Sequence, residues 1–437
     1  MTKLICSQNS FQIGEIMSSE KKSRGFSMKY IGILVVVIAI IVALAGAWLA
    51  GFLTLPTAPP TKDKITIGWT MSATGWMSAF TTTQRNTYNL WVEQVNDNGG
   101  IYVKEYGKNL TIQTIEYDDR SDPLTAIKMY EKLITEDKVD LVFPPWATVL
   151  HMALIPTFEK YGYPVVGNTA NPDAVFEQSV HYYFQQCTSL FVGKGWADWC
   201  KYLWDNGTIK SVAGIYATEQ GTIECFDSFG KYMEIYGIPV QVKKSYPLGI
   251  TDLTPLLQEV KSVNPDVLIA SSYPADGTLM VQQMIELGLK PNLTYIWVGP
   301  IAPAFYEKFT TAELDGVCAS GGGSGTSPNS PTGGDFWAAY KAKYGIYPDN
   351  EGVLSYVTCQ VMQQALEKAG TLNNTQIRDT IATAEFQTIG GTVKFDGKQY
   401  LPPAYSAAVV QWQNGVVQQV WPLENATAEL EYPKIWP

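Results

Sequence analysis

Asp118, Asp119 and Asp122 stand close enough in the chain to act together. An Asp-Asp-x-x-Asp cluster can hold Mg²⁺ beside substrate phosphates. The same residues also describe a strand-to-helix loop in which Asp122 caps the helix and Pro123 takes its first position. The loop reading is the favoured one. Only His151 and His181 could serve as near-neutral bases, and neither sits in a recognisable pattern with Ser or Cys. Gly-x-Ser-x-Gly, Walker, Gly-x-Gly-x-x-Gly and His-Glu-x-x-His motifs are absent. The six cysteines are Cys6, Cys187, Cys200, Cys225, Cys318 and Cys359; none forms Cys-x-x-Cys, so a zinc ribbon or thioredoxin-type site has no support. Cys187 with Cys200, or Cys318 with Cys359, would suit bridges in an oxidising compartment. Buried free thiols are the equal alternative.

Better candidates follow the expected strands. They are Met71, Ser72 and Trp76; Trp146, Ala147 and Thr148; Asn168, Thr169 and Ala170; Glu219 and Gln220; Tyr273 and Asp276; and Pro300 and Ile301. In an open parallel sheet, ligands bind beyond the C-terminal ends of strands. Two sheets facing each other at such ends make a cleft that can close.

The elements that must position these residues are legible in the hydrophobic pattern. The stretch Leu141 to Pro172 reads as two strand-then-turn units with a helix between. Leu141, Val142 and Phe143 end an apolar run, and Pro144 and Pro145 stop it because proline cannot donate to a ladder. Leu150, Ala153, Leu154 and Phe158 recur at helical spacing. A second run, Pro164 to Val166, ends in Gly-Asn-Thr-Ala-Asn-Pro. Elsewhere strands are expected at 65–69, 111–116, 212–216, 240–245, 266–271 and 295–298. Helices are expected around 88–95 and over 123–136, 196–204, 222–236, 253–263, 275–288 and 354–369. This alternation implies parallel sheets covered by helices on both faces. About ten strands exceed one ordinary sheet, so two sheets are expected. Gly321 to Gly334 reads as a flexible surface loop. Gln413-Asn414-Gly415 reads as a hairpin turn between two C-terminal strands.

A chain of 437 residues is long enough for at least two domains. The net charge is −10, yet the first 53 residues carry five basic and two acidic side chains, so the remainder is strongly acidic. That argues against a nucleic-acid partner. The 13 Trp and 25 Tyr either fill cores or line a binding site. Residues 1–29 read as a cytoplasmic tail. Tyr30 to Leu53 is an uncharged run of 24 residues, enough to cross a bilayer. Lys21, Lys22, Arg24 and Lys29 predict that its N-terminal side faces inward, with the rest of the chain on the outer face of the cell membrane. A cleavable signal peptide would have a shorter apolar region, so an uncleaved anchor is expected. Residues 54–63, with three prolines, form an extended linker. Asn109, Asn206, Asn292, Asn373 and Asn425 begin Asn-x-Thr triplets that permit glycosylation.

Several stretches together resemble the periplasmic-binding-protein family of the leucine/isoleucine/valine (amino acid/amide) type, the substrate-binding proteins of ABC transporters. They are ITIGW-TMSATG, VNDNGGI, EYDDRSDPLTAI, FPPWAT with IPTFEKYGYPVVGNTANP, DVLIASSYPADGTLMVQQMIELGLKP, and WVGP, in that order between Ile65 and Trp421. The resemblance implies a two-lobed type I α/β fold, with two parallel-sheet, Rossmann-like lobes joined by a three-crossover hinge. One lobe would take 64–185 plus 320–400, the other 186–319 plus 401–437. It implies capture of a small-molecule solute by lobe closure, docking on a membrane permease, no catalysis and no cofactor.

Carried over residue by residue, the match is uneven. Where the family's amino-acid receptors hold a carboxylate with a small hydroxyl residue, this chain has Ala147, followed by Thr148. In the next turn it has Asn168, Thr169 and Ala170. Where they hold the ammonium with an acid after Gly-Pro, it has Ile301. An ammonium buried there would lack its counter-charge. Either Glu219 or Asp276 supplies it, or the ligand is not an α-amino acid. Trp69, Trp76 and Trp146 favour a flat or apolar ligand face: an amide, an aromatic acid or a larger amino acid. Ligand-binding candidates are therefore Ser72, Trp76, Trp146, Ala147, Thr148, Asn168, Thr169, Ala170, Glu219, Tyr273, Asp276 and Ile301. The competing readings are a ligand-sensing ectodomain of the same fold and an extracellular metal-dependent enzyme using Asp118, Asp119 and Asp122 or His151.

Overall fold

The computed structural model describes residues 28–49, 61–78, 80–170, 173, 180–186, 188–321, 325–396, 399–400 and 408–437. Residues 1–59 and 60–437 form separate units. The described part of the first is helix α1 (Met28–Leu49), long and apolar enough by length and composition to cross a membrane. Its apolar side chains from Ile31 to Leu44 are exposed.

The second unit begins with β1 (Lys64–Met71), α2 (Thr82–Asp97), β2 (Ile101–Val103), β3 (Lys108–Asp118) and α3 (Pro123–Thr135). The proline-stopped stretch follows as β4 (Leu141–Val142), α4 (Thr148–Tyr161), β5 (Val165–Gly167) and β6 (Tyr183–Gln185). Next come α5 (Ser189–Asp205), β7 (Val212–Ala217), α6 (Gln220–Ile235), β8 (Val240–Tyr246), α7 (Thr254–Val263), β9 (Val267–Ser271), α8 (Pro274–Leu287) and β10 (Leu293–Ile296). The chain continues through α9 (Pro303–Tyr306), α10 (Thr311–Leu314), β11 (Val317–Ser320), α11 (Gly334–Tyr344), α12 (Asn350–Ala369) and α13 (Asn374–Thr383). It ends with β12 (Glu385–Thr388), β13 (Gly391–Asp396), β14 (Gln399–Tyr400), β15 (Val409–Gln413) and β16 (Val416–Trp421).

Among the described residues the strands form three sheets, one more than the strand count suggested. Their orders are β2-β3-β1-β4, β12-β13-β14-β6-β5 and β16-β15-β11-β10-β9-β7-β8. Parallel pairing dominates where helices alternate with strands, as in β3-β1-β4 and β8-β7-β9-β10-β11. The antiparallel β15–β16 hairpin turns at Asn414 and Gly415, both at positive φ, as an Asn-Gly turn requires. The caps follow the local signals: Asp122 accepts from Thr125 N at 2.7 Å, with Pro123 at the first helical position.

Four hydrophobic clusters fill the spaces between sheets and helices, and they absorb most of the aromatic excess. Trp69, Trp91, Trp196, Trp199, Trp337 and Tyr88 are among the largest fully buried side chains. Trp69, Tyr88, Trp91 and Phe143 pack ring against ring within about 6 Å. The segment expected as a flexible surface loop is, from residue 325 onward, partly built into the interior: Thr326, Ser327 and Ser330 are buried, while Asn329, Pro331 and Thr332 stay exposed. Trp337 Nε1 donates to Gly325 O at 2.7 Å, and Ser327 Oγ to Val417 O at 3.1 Å. Its small residues serve close packing: a Cβ on Gly333 would lie 2.4 Å from Gly325 O. Neither proposed disulfide forms, since Cys200, Cys318 and Cys359 are buried free thiols; Cys6 and Cys187 lie outside the described residues.

Close helix packing on the seven-stranded sheet depends on Gly193 of α5, where a Cβ would lie 2.1 Å from Cys225 O of α6. Gly193→Ala is expected to force α5 from α6 and to destabilise by about 1–3 kcal/mol. A lowered melting temperature by circular dichroism tests this; an unchanged melt refutes it.

Candidate functional site

The end of β4 organises the first half of the site. Pro144 and Pro145 leave the sheet, and their buried carbonyls find side chains in place of ladder partners. Gln84 Nε2 donates to both, at 3.0 and 3.1 Å, and Tyr88 OH donates to Pro144 O at 3.1 Å. His151 Nε2 lies 2.9 Å from Pro145 O, and its Nδ1 lies 2.8 Å from Tyr183 OH. A carbonyl only accepts, so Nε2 carries the proton and the tyrosine hydroxyl donates to Nδ1. Burial lowers the pKa of His151 to about 4, offset in part by the Pro145 carbonyl. His151 is thus a neutral structural group bridging β6 and the β4 turn.

The predicted residues nearby fall into place around this network. Asn168 Nδ2 donates to Tyr88 OH at 3.0 Å and to Ser355 Oγ of α12 at 2.9 Å. Ala147 N donates to Thr169 Oγ1 at 3.1 Å. Ala147 itself has φ +77, a strained value for a residue with a Cβ. Thr148 opens α4, and Ala170 is buried. Ser72 Oγ donates to Asp119, whose other oxygen accepts from Thr70 Oγ1 at 2.7 Å. Asp118 accepts from the backbone of Ala73, Thr74 and Arg120. The three aspartates are therefore engaged, Asp118 and Asp119 with the end of β1 and its following turn and Asp122 with the start of α3. Among the described residues no group of His, Cys, Asp and Glu is arranged to hold a metal.

In the second half of the site, Glu219 caps α6, accepting from Gly221 N at 2.9 Å and from Tyr273 OH at 2.9 Å. Asp276 accepts from Tyr246 OH and, at 3.1 Å, from Tyr273 N; burial raises its pKa to about 6. Ile301 packs in the core beside Phe305. Both acids nominated to replace the missing counter-charge are hydrogen-bonded to neighbours, Glu219 through Oε2 and Asp276 through both oxygens.

A cavity of about 140 Å³ lies between these halves. Phe80, Thr82, Thr83 and Trp146 line it from one side, with Ile346, Asp349, Asn350 and Glu351 from the segment entering α12. Pro274, Val298, Ala302, Pro303 and Ala304 line it from the other. Of the twelve candidates, the cavity wall includes Trp146. Trp76 is 60% exposed and Trp69 is buried in the core with its Nε1 on Glu116 at 2.9 Å, so neither supplies the flat surface expected of it. Trp146 stacks on Phe80 with centroids 5.5 Å apart.

Residues 349–351 escaped the sequence reading, which began the helix at Leu354. The overlooked signal is Asp-Asn-Glu-Gly, an N-cap followed by an acidic first turn. Asp349 caps α12 by accepting from Gly352 N at 3.0 Å. Three polar atoms here are buried without a partner: Trp146 Nε1, Asn350 Oδ1 and Glu351 Oε2. Burial raises the pKa of Asp349 to about 6. Burial, with the neighbouring Asp349 charge, raises that of Glu351 to about 8.

The periplasmic binding protein family model matches residues 64–416. Leu/Ile/Val-binding protein homolog 8 of Brucella abortus (strain 2308) is 31% identical over 211 residues, covering 45% of this chain and 51% of that protein. The match thus spans about half the length of that relative. Leu/Ile/Val-binding protein homolog 7 of Brucella suis biovar 1 (strain 1330) is 24% identical over 401 residues, covering 87% of this chain and 97% of that protein. The crystal structure of a branched-chain amino acid transporter substrate binding protein from Streptococcus pneumoniae, in complex with isoleucine, has a TM-score of 0.70 at 22% identity. It covers 85% of this chain and 100% of that one. The likeness shows the two-lobed type I α/β fold.

Between about pH 4.5 and 8 the folded chain keeps a proton on Glu351 that the unfolded chain releases, so stability falls as pH rises through that window. Glu351→Gln should remove this dependence. Its melting temperature should exceed that of the wild type by more at about pH 9 than at about pH 5. Parallel melting curves across that range would refute the burial of this charge. His151 acts in the opposite direction. Its stabilising neutral form is complete above pH 6.5 and is lost as pH falls toward 4.

Proposed function

The chain belongs to the periplasmic-binding-protein family, and on that premise we propose that it is the solute-binding receptor of an ABC importer for amino acids, amides or related small molecules. The ligand would be captured by closure of two lobes and passed to a membrane permease. The names of the relatives, Leu/Ile/Val-binding proteins and an isoleucine complex, support this substrate range. We take the lobes as 64–185 plus 320–400 and 186–319 plus 401–437. In support, β11 and β15 share a sheet with β7 to β10, while β12 to β14 share one with β5 and β6. Helix α1 supports a single N-terminal membrane anchor with the binding unit on the outer face.

The observation that carries the reading is the small cavity at the strand ends, walled from both halves of the second unit and holding unpartnered polar atoms. A ligand there touches both walls only when they are together, which gives it the differential affinity that closure requires. The engaged aspartates and the buried neutral His151 offer no comparable support for an enzyme.

Titrating the detergent-solubilised full chain with amino acids and their amides tests the proposal. At about 100-fold excess over Kd, a bound ligand should stabilise by about 2.7 kcal/mol and raise the melting temperature by a few degrees. No shift with any of them would overturn it. Trp146→Phe keeps an aromatic ring against Phe80 and removes the indole N–H. It should weaken binding by roughly tenfold, as losing one buried hydrogen bond implies.

A further inference from the structure

The polar lining of the cleft is one-sided. Among the described residues it contains Asp349, Asn350 and Glu351, with Thr82 and Thr83, but no Lys, Arg or His. Two of its unpartnered atoms, Asn350 Oδ1 and Glu351 Oε2, accept hydrogen bonds, and one, Trp146 Nε1, donates. Asn350 is 8% and Trp146 4% exposed, so neither atom has ready recourse to water. Leaving such groups unpaired is costly, and Glu351, lacking a counter-charge, keeps its proton. Among the described residues the charged and titratable neighbours add no cation. Asp349 lies on the same turn, and Tyr273 of α8 is held protonated by burial, by Glu219 and more weakly by Glu351 itself.

We propose that the cleft selects ligands carrying a protonated amine, and that this amine lies against Glu351 and Asn350 at the start of α12. The proposal rests on the solute-receptor reading and makes its ligand class specific. The counter-charge comes from the chain's third segment, not from the turn after β10 where Ile301 sits. An ammonium group has three donors and no acceptor, so it can serve both unpartnered oxygens at once. The Trp146 and Phe80 rings supply a flat apolar wall for the ligand body, and their faces tolerate a nearby cation. An acceptor oxygen on the ligand would engage Trp146 Nε1. An ammonium supplies the counter-charge that lets Glu351 give up its proton, and a carboxylate without an amine supplies none.

The test uses isothermal titration of the detergent-solubilised full chain with two matched series. One is L-leucine, L-leucinamide and 4-methylpentanoate; the other is L-phenylalanine, L-phenylalaninamide and 3-phenylpropanoate. In at least one series the two amine-bearing members should bind at least about tenfold more tightly than the deaminated acid, the scale of one charge-assisted hydrogen bond. Glu351→Gln should abolish that preference while melting at or above the wild-type temperature. Asn350→Ala should reduce it in the same direction. Deaminated acids that bind as tightly as the amines, or a preference that survives Glu351→Gln, would overturn the assignment and leave the receptor reading standing. If no compound binds the wild type, both fall.

Discussion

Two prolyl carbonyls at the end of β4 set the terms for the first lobe. A strand that ends in Pro144 and Pro145 cannot extend its ladder, yet its carbonyls lie inside the protein, where an unpaired acceptor is costly. Gln84, Tyr88 and His151 meet that need, and each then requires partners of its own. Tyr88 draws in Asn168, Asn168 draws in Ser355 of α12, and His151 draws in Tyr183. One local interruption thereby ties α2, α4, α12 and three strand ends into a single polar network.

The network also bears on the positions that the family resemblance singles out. Asn168 and Thr169 occupy the turn where related amino-acid receptors are expected to hold a carboxylate, but both are engaged inside the protein. Beside β7 to β9, Glu219, Tyr273, Asp276 and Tyr246 form a linked set that stabilises two helix starts. The groups still unpartnered at the cavity are Trp146, Asn350 and Glu351, among the described residues. The ligand chemistry proposed for this cleft follows from that remainder.

The aromatic content illustrates the same separation of roles. A reader of the composition sees many tryptophans and can assign them to a core or to a binding wall. Trp69, Trp91, Trp196 and Trp199 are fully buried packing elements, and Trp76 stands in solvent. Trp146 differs because Ala147, at positive φ, turns the chain immediately after it, at the edge of the cavity.

The sequence by itself determined what is local or periodic. Alternating apolar runs and helical spacing specified the α/β class and the order of elements, because strand and helix periods differ. Asp122-Pro123 specified a helix start and Asn414-Gly415 a hairpin turn, because caps and turns are built within a few residues. The length of the apolar run at the N-terminus specified a helix able to span a bilayer. Only the tertiary structure decided which polar side chains remained available. Asn168 and Ser355 bond across 187 positions, and the lining of one cavity runs from Phe80 to Glu351. Whether a carboxylate caps a helix, pairs with a tyrosine or faces an empty space depends on such distant partners, and no local pattern encodes them.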